Sequence, residues 1–224
     1  PYYAAGLRAS IRLDKATPSS ALPGIEAAPA GTDTTHFSLI DREGNMVAAT
    51  LTVNLPFGSG FVAPGTGFLL NNEMDDFSMK PGVPNAFGLV GEDANAIAPY
   101  KRPLSSMTPT IAIGPKRSVI LGTPGGSRII SMVLLAYLQT LHDKDASTAV
   151  NHPRIHHQYL PDVLSAEPNA LSAASIEALR KLGHEVKVES RTWGNMHAVI
   201  WSHQDGEVDA ASDGRWRVGR AIVR

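Results

Sequence analysis

The sequence predicts an α+β fold in which helices pack outside β-sheet. Three observations carry that expectation. Strand-type segments come first, at residues 34–40, 46–55, 108–113 and 118–121. An apolar helical segment follows at 129–141, with shorter ones at 146–150 and 173–182. Strand patterns then return at 185–189, 196–201 and 208–211. Sheets and helices each have an apolar face to bury, and layering one on the other is the stable solution.

The first two strands form a hairpin. Residues 34–40 and 46–55 alternate, and Asp41-Arg42-Glu43-Gly44-Asn45 between them is a turn signal, with Gly44 suited to the left-handed position. Pairing Asp41 with Asn45 puts Phe37, Leu39, Val47, Ala49, Leu51 and Val53 on one face, which reads as the core face. The same register puts Thr34, His36, Ser38, Thr50, Thr52 and Asn54 on the other face, with Thr34 opposite Thr52.

Between the hairpin and the next strands, residues 57–70 are Gly-rich and apolar, and 80–99 read as a long loop. The strands at 108–113 and 118–121 are joined by Gly114-Pro115-Lys116-Arg117. Pro124-Gly125-Gly126-Ser127-Arg128 leads into the apolar helix. Asp145 is suited to cap the helix at 146–150, and Gly183 to end the one at 173–182. Ahead of the hairpin, a helix-compatible piece at 4–12 precedes a stretch rich in Pro, Gly and Ser that reads as an extended arm.

Bulk properties exclude several classes. The 224 residues are 43% hydrophobic, enough for a substantial core. A net charge of -1 gives no electrostatic case for nucleic acid or an anionic membrane. The absence of cysteine removes disulfides, thiolate metal sites and a cysteine nucleophile together. No apolar run has bilayer length, and Pro1-Tyr2-Tyr3 does not open a signal peptide. The chain therefore reads as a fragment or processing product whose targeting information lies elsewhere. His156-His157 would point opposite ways in a strand, and no metal-binding His spacing is present, so no metal site is expected.

Three features carry chemistry. Asp33-Thr34-Thr35-His36 alone is a β-branched strand start. If Thr34 became a free N-terminus, its α-amino group, with a pKa near ~8, could take the hydroxyl proton, so one residue would supply nucleophile and base. Pro124-Gly125-Gly126-Ser127-Arg128 is alone a Gly turn, yet two glycines before a helix can aim N–H groups at an anion. Asn72-Glu73-Met74-Asp75-Asp76 and Arg102-Pro103-Leu104-Ser105-Ser106-Met107 are alone polar loops. Their carboxylates could hold an ammonium group and their serines a carboxylate.

Taken in order, these segments resemble the small subunit of gamma-glutamyltransferases. The resemblance rests on Thr34-Thr35-His36-Phe37-Ser38, Leu70-Asn71-Asn72-Glu73-Met74-Asp75-Asp76-Phe77, Pro81-Gly82-Val83-Pro84-Asn85, Lys101 to Thr110, and Gly122 to Ile130. Asn151 to Gln158 and Ala211-Ser212-Asp213 extend it, so it covers nearly all of 34–215. It implies an N-terminal-nucleophile (Ntn) hydrolase with a four-layer αββα sandwich, made as a precursor that cuts itself before Thr34. Residues 1–33 would then be the end of the large subunit, and 34–224 the catalytic small subunit.

The resemblance also implies roles. Thr34 is the nucleophile, Thr52 its supporting hydroxyl, and Gly125 with Gly126 the oxyanion pair. Asn54, Glu73, Asp76, Ser105 and Ser106 bind the α-amino and α-carboxylate ends of a glutamyl group. The implied substrates are glutathione and other γ-glutamyl amides, with water, an amino acid or a dipeptide as acceptor. The implied partner is the large subunit, in a heterodimer located in the periplasm or outside the cell. Glu73 stands where many bacterial members carry Gln, and Phe87 where members with a lid often place Tyr. An acylase, a poly-γ-glutamate-processing relative and an unprocessed inactive fragment are the alternatives.

Overall fold

A computed structural model describes residues 2–21, 34–80, 82–83, 91, 93–142, 145–216 and 218–224. The expected scissile residue Asp33, the arm at 22–33 and the lid position Phe87 lie outside the described residues.

The chain is α+β. Helix α1 (Tyr2–Ser10) starts and ends two residues before the expected 4–12 and buries none of its residues. The hairpin β1 (Thr34–Ile40) and β2 (Met46–Thr52) follows, then β3 (Thr110–Ile113) and β4 (Arg117–Gly122). Next come α2 (Ile129–Leu141), α3 (Ala146–Asn151), β5 (Ile155–His156), β6 (Leu164–Ala166) and α4 (Ala173–Lys181). Strands β7 (Val186–Val188), β8 (His197–Ser202) and β9 (Val208–Ser212) complete the order. Asp145 caps α3 by accepting the Thr148 N–H, and Ser172 caps α4 in the same way from Ser175.

A four-stranded antiparallel sheet in the order β3-β4-β8-β9 forms the centre. Alternation along its strands sorts two faces. Val119, Leu121, Ala198 and Ile200 join Ile129, Met132, Val133 and Ala136 of α2 in the main core. Spacings of three and four along α2 put those residues on one helix face. Leu121 and Ile129 are essentially inaccessible, and burying such a side chain contributes about 1.5–3 kcal/mol. The opposite face of the sheet meets the hairpin. His36 packs so closely on β4 that a Cβ at Gly122 would collide with its ring, and it stacks with His197 of β8, ring centroids 6.4 Å apart.

The hairpin register is as expected, from Thr34↔Thr52 to Ile40↔Met46, and Gly44 is left-handed with φ 85. The expected core face is not one. Phe37, Leu39, Val47, Leu51 and Val53 are exposed, while buried His36 and half-buried Thr34, Ser38, Thr50 and Thr52 face the sheet. Pairing fixes which residues share a face; it does not fix which face meets the rest of this chain.

A second sheet, β5-β6-β7, was only partly expected, because β5 and β6 are too short to show alternation. A buried ionic cluster ties it to the C-terminal segment. Arg154 pairs with Asp213 at 2.6 Å, and Arg215 with Glu167 at 2.8 Å. Glu167 also accepts the Arg154 and Trp193 N–H groups. Part of the expected arm is docked as well: buried Ser19 donates its N–H to Asp162 at 2.6 Å, and Ala16 donates to Leu182 O at 2.7 Å.

Candidate active site

Thr34 opens β1 and Thr52 closes β2, so antiparallel pairing sets their side chains abreast. Thr34 Oγ1 donates to Thr52 Oγ1 at 3.2 Å. Thr52 Oγ1 also accepts the Asn54 N–H at 2.8 Å. Asn54 is buried in a left-handed conformation with φ 75, unusual outside glycine. Its side chain donates to Asn72 O at 3.1 Å, while Asn72 Oδ1 accepts the Leu55 N–H at 3.1 Å. These bonds fasten the end of β2 to the acidic segment that follows Asn72.

That segment is a single 3-10 turn, Glu73–Asp76, which brings Glu73 and Asp76 side by side. Burial, then the neighbouring Glu73 charge, push the Asp76 carboxyl up to about 7 from 3.8. Burial raises Glu73 as well. Two adjacent carboxyls in one site do not both ionise readily, so the pair is poised to take a cation. Asn95 holds this turn to the serine segment: its Nδ2 donates to Asp76 O at 2.7 Å and its Oδ1 accepts the Leu104 N–H at 3.0 Å.

The glycine turn lies between β4 and α2. Gly125 has φ 147 and Gly126 φ 57, both conformations that side chains disfavour. The Arg128 N–H returns to Gly125 O and the Ile129 N–H to Gly126 O. The amides of Gly125, Gly126 and Ser127 thus precede the first bonded N–H of the turn.

A cleft of about 30 Å³ is lined by Thr34, Thr52, Asn54, Glu73, Asp76, Ser105, Ser106 and Gly126. All but one of the site residues named from the sequence thus meet at one place. The exception is Gly125, which precedes Gly126 in the glycine turn but is not among the lining residues. Met107, Ser127 and Ile129 also line the cleft and were not named as site residues. Ser127 lay within the glycine motif, which was the available signal. His36 was not singled out either. Burial first, and His197 second, lower its pKa to about 4, so it is a neutral ring bonded to Thr50 Oγ1 at 2.8 Å and Ser38 Oγ at 3.0 Å. His156 and His157 point apart, to Ser131 and Asp162 respectively. Among the described residues, no cluster of three His, Cys, Asp or Glu side chains could hold a metal ion. No helix among them is long and apolar enough to cross a membrane.

The profile of the family described as Gamma-glutamyltranspeptidase matches residues 1–223. The glutathione hydrolase proenzyme of Escherichia coli K12 is 44% identical over 216 residues, 95% of this chain and 37% of that protein. Its counterpart in Pseudomonas aeruginosa is 44% identical over 208 residues, 90% of this chain and 36% of that protein. The chain thus spans little more than a third of the length of these curated relatives. Among solved structures, an acivicin-inhibited gamma-glutamyltranspeptidase aligns with TM-score 0.77 and 43% identity, over 82% of this chain and 100% of the other. The Helicobacter pylori gamma-glutamyltranspeptidase T380A mutant aligns with TM-score 0.76 and 44% identity, over 81% and 99%.

Proposed function

Because the chain belongs to the gamma-glutamyltranspeptidase family, we propose that it is the catalytic part of an enzyme that transfers and hydrolyses γ-glutamyl groups. One observation carries the proposal. The cleft gathers two bonded hydroxyls, Thr34 and Thr52, an acidic pair, two serines, an asparagine and Gly126 of the glycine turn around a single space. That set suits an amide whose acyl end bears both an ammonium and a carboxylate.

The reaction begins with maturation. Thr34 Oγ attacks the Asp33 carbonyl, the acyl group shifts from N to O, and water hydrolyses the ester to free the Thr34 amine. That amine then accepts the Thr34 hydroxyl proton as Oγ attacks the γ-carbonyl of glutathione or a related amide. Amides of Gly125 and Gly126 receive the oxyanion, the leaving amine departs with a proton, and a γ-glutamyl ester remains. Water releases glutamate, or an amino acid or dipeptide takes the acyl group. Glu73 and Asp76 hold the substrate ammonium; Asn54, Ser105 and Ser106 hold its carboxylate. Every group invoked belongs to the protein, and no metal or organic cofactor is used.

Residues 1–33 are read as the end of a large subunit and 34–224 as the small one. A large subunit is the partner that best fits the exposed Phe37, Leu39, Val47, Leu51 and Val53 on the outer face of the hairpin. Contiguous exposed apolar surface of this kind marks an interaction face. A cavity of about 1020 Å³ beside β1, bordered by β8, β9 and residues 218–224, leaves room for further chain. A helix layer laid on that outer face would complete a four-layer αββα sandwich. By likeness to the family, the enzyme works in the periplasm or outside the cell.

Two outcomes test the site. Gly126→Pro removes one amide donor and, with its φ fixed at about −65°, cannot keep the φ of 57 found there, so turnover of the processed enzyme is expected to fall by at least the order of 10²-fold. Unchanged turnover in a folded variant contradicts the oxyanion assignment. The second concerns pH. Below about 7 Asp76 is protonated and a neutral acid holds ammonium poorly; above it the carboxylate is available. KM for a γ-glutamyl-anilide should therefore fall about tenfold from pH 6 to 8, as expected for one group titrating between them. In Asp76→Asn that fall should flatten, and a KM profile unaffected by the substitution removes Asp76 from the ammonium site.

A further inference from the structure

On the reading that the turn at Gly125 and Gly126 receives the oxyanion, we propose that His156, acting through Gln158 and Ser127, is a positioning residue for that turn. Gln158 Nε2 donates to Leu160 O at 3.0 Å, which fixes the orientation of the amide. Its Oε1 can then only accept, and it accepts the Ser127 hydroxyl at 2.6 Å. His156 Nε2 lies 2.9 Å from the same oxygen and must donate to it. Burial lowers the His156 pKa against the opposing Gln158 bond, and the Arg128 charge lowers it further. His156 Nδ1 lies 2.7 Å from Ser131 Oγ, whose hydroxyl also donates to Arg128 O at 3.0 Å. One imidazole therefore bonds towards both sides of the turn, to Ser127 through Gln158 and directly to Ser131 on the first turn of α2.

The turn needs such support. Glycines carry no side chain to lock their own amides. A displacement of about 1 Å in a reacting group can cost on the order of 10²-fold in rate. On its far side, Arg128 stacks on Trp193 at 4.4 Å and pairs with Glu189 at 3.7 Å. His156 and Ser127 are buried, so water does not readily replace a lost bond.

Two similar substitutions separate positioning from general packing. A Gln side chain can carry its amide N–H to where Nε2 stood; an Asn amide reaches only the Nδ1 position. In the processed enzyme with its large subunit, H156N should lose kcat by about tenfold or more with KM little changed. H156Q should recover most of it. Active sites are counted with an electrophilic glutamyl analogue, so unfolded or uncut protein does not enter kcat. If H156N does not mature, the rate of precursor cleavage before Thr34, whose oxyanion on this reading forms at the same turn, should show the same order of H156Q over H156N. Equal behaviour of the two variants in both assays overturns the proposal. Gly126→Pro makes the two failures distinguishable: normal turnover there refutes the oxyanion reading itself, whereas its loss beside equal His156 variants refutes only the role of His156.

Discussion

A Thr34→Ala protein is expected to remain one uncut chain and to lose turnover on the order of 10⁶-fold, the scale seen when a hydroxyl nucleophile is removed from an acyl-transfer site. Both effects have one cause. Thr34 supplies the oxygen that attacks the preceding peptide bond and, once freed, the oxygen that attacks substrate. Thr34→Ser keeps a hydroxyl opposite Thr52, so it should cut and turn over, more slowly. Gel analysis of cleavage and γ-glutamyl-anilide assays read the two effects separately. A Thr34→Ala protein that cut itself before residue 34 would place the maturation chemistry elsewhere.

The second large effect is discrimination by the acidic pair. A γ-glutamyl donor carries an ammonium that a glutaryl amide lacks. Without that cation, Glu73 and Asp76 are left facing each other in a partly desolvated cleft. Sites built around such a polar group reject the analogue lacking it by factors of about 10⁴. The ratio of kcat/KM for γ-glutamyl-anilide over glutaryl-anilide should therefore approach that value, and Asp76→Ala should erase most of it. A wild-type ratio near one points instead to an acylase with the same nucleophile.

Much of this site was legible in the sequence because its parts are local. The turn Asp41–Asn45 and the sorting of apolar residues specify the hairpin register, and that register sets Thr34 against Thr52. The acidic turn, the serine pair and the glycine turn each sit in a short motif, and the cleft joins them. What the sequence hid is relational. Phe37 and Leu39 look like core residues, and they are exposed because the polar side of the hairpin meets the central sheet within this chain. Strands β5 and β6 are held by the buried Arg154, Glu167, Asp213 and Arg215 cluster rather than by alternation. The bonds of His156 join Ser127, through Gln158, to Ser131, which no spacing in the sequence reveals.

The central claim is that Thr34 is both the new N-terminus and the acylated residue. Its most direct test is mass spectrometry of the active protein, quenched in acid moments after mixing with a γ-glutamyl-anilide and then digested. The account predicts a small subunit whose first residue is Thr34, with one glutamyl group attached to the peptide that begins there. A fully active protein in which the 33–34 bond is intact, or in which the glutamyl group is carried by another residue, would contradict it.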